Sequence, residues 1–247
     1  MDERYTFLEI ETVRRELHGS NMDAPSDTIQ KLQQAKNPRF IKSHLPLSLL
    51  PDNLLEKAKV IYVARNPKDT MVSFLYHHKL LVVGYQLLFS DLDCILQGHG
   101  FDGDLKTFAR RFMKDQILWS PFFTHLQQSW EKKDHPNLLF IFYEDMKNDI
   151  VPVIDLVSQF LSKSLTKIET EKLSNHLDIK NFRKNESVNR EHHKDSGVMS
   201  KEGNFVRKGE VGGWKDDFKD DSQLNEEFDQ WVSQQLKKCD FEFPNYQ

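Results

Sequence analysis

The chain has 247 residues, 38% of them hydrophobic and 29% charged, a balance that excludes a disordered segment and fits a folded domain of enzyme size. Its 34 lysines and arginines stand against 38 aspartates and glutamates, a formal net charge of −4. That balance supplies no global positive field to draw the protein onto nucleic acid or an anionic membrane, so any anion must be bound locally.

The N-terminus, Met1-Asp2-Glu3-Arg4, carries mixed charge and leads into no apolar signal region. The most apolar stretch, residues 80–96, is broken by Asp91 and Asp93 and is too short for a bilayer, so a cytoplasmic protein without a membrane span is expected. Residues 39–42, 59–64 and 138–143 are short apolar runs without alternation, which predicts strands buried on both faces. Helical patterns lie between and after them, at residues 67–79, 105–113, 120–132 and 151–161. Pro67 suits a first helical turn, where its missing N–H is not needed. This alternation predicts a three-layer α/β sandwich with a central parallel sheet, folded as one domain over residues 1–247. Residues 178–213 turn polar with little period and read as a long functional loop. Residues 224–236 recover a helical face carrying Phe228, Trp231, Val232 and Leu236. The two cysteines, Cys94 and Cys239, have neither pairing nor metal spacing, so free thiols and no metal site are expected.

Ligands of open α/β sheets gather outside the carboxyl ends of the strands, which makes Lys42, Ser43, His44, Arg65 and Asn66 candidates for one crevice, joined by Tyr143 and Glu144. In Lys42-Ser43-His44-Leu45-Pro46 a cation and an imidazole are neighbours, and an imidazole with pKa of about 6.5 can act as a general base. The same histidine could instead be satisfied by a backbone carbonyl. Arg65-Asn66-Pro67-Lys68-Asp69, with Ser73 on the following helix, sets an arginine fork at a helix N-terminus, a pattern suited to phosphate. Pairing of Arg65 with a surface carboxylate is the alternative. Arg207-Lys208-Gly209, followed by Gly212-Gly213-Trp214-Lys215, sets two cations on a backbone that glycine frees for close approach, or else forms a solvated basic turn.

In combination these segments resemble the cytosolic sulfotransferase family. That family has a strand ending in Lys-Thr-His-Leu-Pro, matched by Lys42 to Pro46, and a Tyr-Val-Ala-Arg-Asn strand end followed by a helical serine, matched by Tyr62 to Asn66 and Ser73. Its Phe-Tyr-Glu-Asp-Met signature stands at Phe142 to Met146, and its Arg-Lys-Gly loop with a nearby Gly-x-Trp-Lys stands at Arg207 to Lys215. The resemblance covers nearly all of residues 37–247, and residues 185–189 with Gly212-Gly213-Trp214 look most like the arthropod branch. It implies a P-loop-nucleotide-hydrolase-like fold and transfer of a sulfuryl group from 3′-phosphoadenosine 5′-phosphosulfate to a small phenol or alcohol, without a metal. By the same resemblance His44 is the catalytic base and Lys42 stabilises charge at the transferring group. Arg65, Ser73, Arg207, Lys208 and Gly209 would bind the 3′-phosphate. Tyr143 would lie near the adenine, Leu177 and Ile179 would line its pocket, and Val206 would pack beside Arg207.

Three departures from the family pattern stand out, one being that the span from His77 to Phe108 is longer than typical, with an apolar insert near residues 80–96. The family opens with a strand and a Lys-Ser-Gly-Thr-Thr-Trp loop for the 5′-phosphosulfate, and nothing in residues 1–36 resembles it, Gly19 being the only glycine before Gly84. Residues 5–17 look instead like the segment that follows that loop and its helix. A chain truncated at its N-terminus is the expectation, with a non-catalytic binder of 3′-phosphoadenosine 5′-phosphate or an apolar ligand as the alternative to an active enzyme. The family's Lys-x-x-x-Thr-Val dimer motif is broken at residues 215–220, which leaves a homodimer open.

Overall fold

The computed structural model describes residues 5–9, 28–81, 101–195, 197 and 199–244. The apolar insert beyond Leu81, with Cys94, and residues 10–27 lie outside them. In chain order the elements are β1 (Tyr5–Phe7), α1 (Thr28–Gln34), β2 (Phe40–Lys42), α2 (Leu54–Lys57), β3 (Val60–Ala64), α3 (Pro67–Leu80), α4 (Leu105–Met113), α5 (Phe122–Trp130) and β4 (Leu138–Phe142). After these come α6 (Tyr143–Asn148), α7 (Ile150–Phe160), α8 (Lys167–Leu177), α9 (Ile179–Lys184), α10 (Glu186–Asn189), α11 (His192–Asp195), α12 (Lys215–Phe218) and α13 (Ser222–Leu236). Among the described residues no helix is long and apolar enough to cross a membrane.

Contacts divide the chain into two compact units. One comprises Met1–His44, Leu75–Gly103 and Asn185–Arg207, and the other Leu45–Phe74, Asp104–Lys184 and Lys208–Gln247. In the first, β1 pairs in parallel with β2, with Tyr5 opposite Phe40 and Phe7 opposite Lys42. In the second, β3 pairs in parallel with β4 from Val60–Leu138 through Ala64–Phe142. The fold is thus α/β with parallel strand pairing, as the sequence predicts.

The second unit builds its core on aromatic rings. Ala64, Leu126 and Phe241 are buried together, with Tyr62, Trp130, Phe140 and Phe142 packed around them. Phe112, Phe123, Phe228 and Trp231 meet at centroid distances of 5.1–5.9 Å, near the preferred edge and tilted geometries. Helix starts are set by side chains: Asp104 accepts from the Thr107 N–H at 2.7 Å, Asp221 from the Leu224 N–H at 2.9 Å, and Thr166 with Glu169 forms a capping box.

Three sequence expectations are corrected. β2 and β3 are not buried on both faces: Phe40, Ile41, Ile61 and Val63 are exposed, and Ile61 and Val63, two apart, share one face of β3 that stays open to solvent. Residues 178–213 are not a structureless loop but contain α9, α10 and α11. Helices of four to six residues complete too few turns to display a 3.6-residue period, while their caps, such as Asn185 accepting from the Ser187 N–H, are single residues that polar loops also contain. Tyr143 opens α6 instead of ending the third strand.

Candidate functional site

In the second unit the register of β3 on β4 arranges the residues that follow. Ala64 lies opposite Phe142, and continuing that register sets Arg65 beside Tyr143 and Asn66 beside Glu144. The Arg65 guanidinium lies over the Tyr143 ring, 4.3 Å from its centroid. The Asn66 N–H donates to Glu144 Oε1 at 2.8 Å, and burial of Glu144 pushes its carboxyl pKa upward, opposed by that hydrogen bond. Asn66 in turn caps α3, its Oδ1 accepting from the Lys68 N–H at 2.9 Å.

Arg65 is therefore fixed where β3 ends and α3 begins. Its Nη2 donates to the Glu210 carbonyl at 3.2 Å and lies 4.0 Å from Asp69 Oδ1. Its Nε is buried without a hydrogen-bond partner among the described residues. A buried, unsatisfied guanidinium N–H is costly unless an anion completes it, so this corner fits a phosphate.

The loop after residue 207 is held against the same corner. The Lys208 ammonium pairs with Asp216, and the Lys208 carbonyl accepts from Arg183 Nη2 at 3.1 Å. The Gly212 N–H donates to Asp69 Oδ2 at 2.7 Å and the Trp214 N–H to Asp69 Oδ1 at 3.1 Å. Lys68 lies buried 4.1 Å from the Trp214 ring centroid and bonds to Asn225 and Asp229, both at 2.6 Å; burial lowers its pKa against the opposing pull of Asp229.

Gly209 has φ of +67°, and a Cβ there would sit 2.4 Å from Ile179 Cδ1. Gly209→Ala therefore meets both backbone strain and a clash, a cost of roughly 1–2 kcal/mol from the left-handed backbone alone. Calorimetry is expected to show a melting midpoint lower by about 2–8 °C for a chain of this size. Adding Ile179→Ala should restore only the part due to the clash, and an unchanged midpoint for the single variant would contradict both the backbone strain and the Ile179 contact.

In the first unit the register Phe7–Lys42 carries Glu9 to the level of His44. Glu9 is buried, and its Oε1 accepts from the Ser43 hydroxyl and, at 3.0 Å, from the His44 N–H. The Phe7 ring meets the His44 imidazole edge-on at 4.9 Å, and Lys42 Nζ lies 5.6 Å from the same ring. Glu9 thus fixes the backbone of the proposed base while Phe7 borders its ring. Sequence reasoning missed Glu9 because β1 is too short to show a period, and only the parallel register reveals the pairing. Also in this unit, the Arg207 guanidinium lies 4.3 Å from the Tyr76 centroid. His77 packs 5.6 Å from Phe205, its pKa lowered to about 4, by burial first and then by the charges of Arg190 and Lys42, so its imidazole is neutral at neutral pH.

The model of the sulfotransferase domain matches residues 2–240. The chain belongs to the sulfotransferase family. It is 30% identical to luciferin sulfotransferase of Photinus pyralis, over 98% of this chain and 64% of that protein, so it spans just under two thirds of that relative's length. Sulfotransferase 1E1 of Homo sapiens is 32% identical over 87% of this chain and 68% of its own length. Among solved structures, retinol dehydratase in complex with androsterone and the inactive cofactor PAP superposes with a TM-score of 0.81 at 29% identity, covering 99% of this chain and 73% of that one. Mouse sulfotransferase SULT7A1 complexed with PAP gives 0.68 at 26% identity, over 86% and 70%.

Of the residues this family resemblance nominates, the second unit gathers Arg65, Tyr143, Lys208, Gly209 and Ile179 around the start of α3. Ser73 lies nearly two turns along α3, and Leu177 closes α8 with a partly exposed side chain. The first unit holds Lys42, Ser43 and His44 against Phe7 and Glu9, with Arg207 stacked on Tyr76 and Val206 half-buried. Tyr143 braces the Arg65 guanidinium, a contact that the sequence does not foretell.

Proposed function

We propose that this chain carries sulfotransferase chemistry: transfer of a sulfuryl group from 3′-phosphoadenosine 5′-phosphosulfate to the hydroxyl of a small phenol or alcohol in the cytoplasm. The observation that carries the reading is Arg65, stacked on Tyr143 with a buried Nε–H that has no partner among the described residues. Arg65, Ser73, Arg207, Lys208 and Gly209 hold the 3′-phosphate in this reading, and Tyr143, Leu177, Ile179 and Val206 flank the adenosine. When bound, the donor supplies the sulfuryl group. His44 takes the proton from the acceptor hydroxyl as its oxygen attacks sulfur; the bond from sulfur to the bridging 5′-phosphate oxygen breaks, 3′-phosphoadenosine 5′-phosphate leaves with that electron pair, and the Lys42 ammonium offsets charge that builds at the transferring group. The acceptor is a small hydroxylated, mainly apolar molecule; the retinol dehydratase structures hold androsterone or retinol beside PAP, which supports that class.

A radiolabelled sulfuryl-transfer assay with calorimetry tests the reading. Residues 1–247 alone are expected to bind 3′-phosphoadenosine 5′-phosphate weakly and transfer sulfate negligibly. The same chain extended upstream with the Lys-Ser-Gly-Thr-Thr-Trp strand, loop and helix is expected to turn over. Each preorganised donor of that loop is worth about 10²–10³ in rate, so its absence outweighs a 3′-phosphate grip that is nearly complete. Nucleotide binding without transfer by the extended chain would favour the non-catalytic binder, and robust transfer by residues 1–247 would show that the loop is dispensable.

A further inference from the structure

We infer that Asp69 is a positioning residue, a two-pronged latch that holds the Lys208–Trp214 loop against Arg65 and so sets selectivity for a 3′-phosphate. The inference rests on the reading of Arg65 as a phosphate ligand. Asp69 is 2% exposed, and each carboxylate oxygen accepts a different loop amide, Gly212 N–H at 2.7 Å and Trp214 N–H at 3.1 Å. Such charge-assisted bonds to backbone N–H groups are short and strong, and they fix the backbone rather than a mobile side chain. Gly212 has φ of +73°, a left-handed conformation in the turn whose Gly212 and Trp214 N–H groups face one carboxylate.

The neighbouring Lys68 grips the same turn through the Trp214 ring at 4.1 Å and anchors to α13 through Asn225 and Asp229. Arg65 adds a third tie at the Glu210 carbonyl, 3.2 Å from Nη2. The loop is therefore held at residues 210, 212 and 214 along the first turn of α3, which places Lys208 and Gly209 just upstream of the Arg65 contact. Asp69 also comes only to 4.0 Å from Arg65, beyond hydrogen-bond distance, so its short bonds go to the loop and the Arg65 Nε–H keeps no partner among the described residues.

Calorimetry on the 247-residue chain compares 3′-phosphoadenosine 5′-phosphate with adenosine 5′-monophosphate, which lacks the 3′-phosphate. The ratio of the two affinities is a readout that general loosening of the fold would not move selectively. Asp69→Ala is expected to lower that ratio about tenfold and Asp69→Asn, which keeps one acceptor oxygen, by less. Arg65→Ala serves as the control for the underlying reading. If Arg65→Ala lowers the ratio and both folded Asp69 variants retain it, the latch is refuted while the phosphate site stands. If Arg65→Ala leaves the ratio unchanged, the phosphate assignment of Arg65 itself fails. Should Asp69→Ala not fold, Asp69→Asn decides alone, an unaltered ratio counting against the latch.

Discussion

His44→Ala, made in a chain that also carries the family's phosphosulfate loop, is expected to reduce sulfuryl transfer by about 10²–10⁴, the usual contribution of a positioned general base. The loss should fall on kcat. Affinity for 3′-phosphoadenosine 5′-phosphate should stay within about twofold, because the residues assigned to the phosphate do not include His44. The imidazole is held edge-on by Phe7, while Glu9 fixes the backbone N–H of the same residue. Removing the ring therefore deletes the base and leaves the Glu9 bonds to Ser43 and the backbone in place. Transfer that survives His44→Ala undiminished would remove the base assignment, and a matching fall in nucleotide affinity would make His44 a binding residue instead.

Arg65→Ala is expected to weaken binding of 3′-phosphoadenosine 5′-phosphate by about 10²-fold, since bonds from a charged donor contribute about 1.5–3 kcal/mol each and a guanidinium can offer two to one phosphate. Arg65→Lys should recover little of it. Lysine cannot stack a planar group on Tyr143, nor supply in one fork the Nη2 that reaches Glu210 and the buried Nε. Titration calorimetry of the three proteins measures this directly, and full affinity in Arg65→Lys would mean that the site needs only a point charge.

Much of this architecture is legible in the order of the amino acids. The apolar runs at residues 59–64 and 138–143 announce β3 and β4, Pro67 marks the start of α3, and Lys42 stands at the end of β2 as Arg65 stands just after β3. Those signals are local: burial dictates composition, and helical or extended geometry dictates period. β1 escapes such a reading because three residues carry no period, and α9, α10 and α11 escape it because each is at most six residues long. What pattern cannot supply at all is partnership. Glu9 meets the His44 N–H across 35 positions, and Asp69 meets the Gly212 N–H across 143. Sequence alone determined the family, the ends of β2 and β3 and the residue types that can hold an anion. The tertiary structure decided which carboxylate serves which amide, because strand register and loop closure, not local preference, choose the partner of a buried charge.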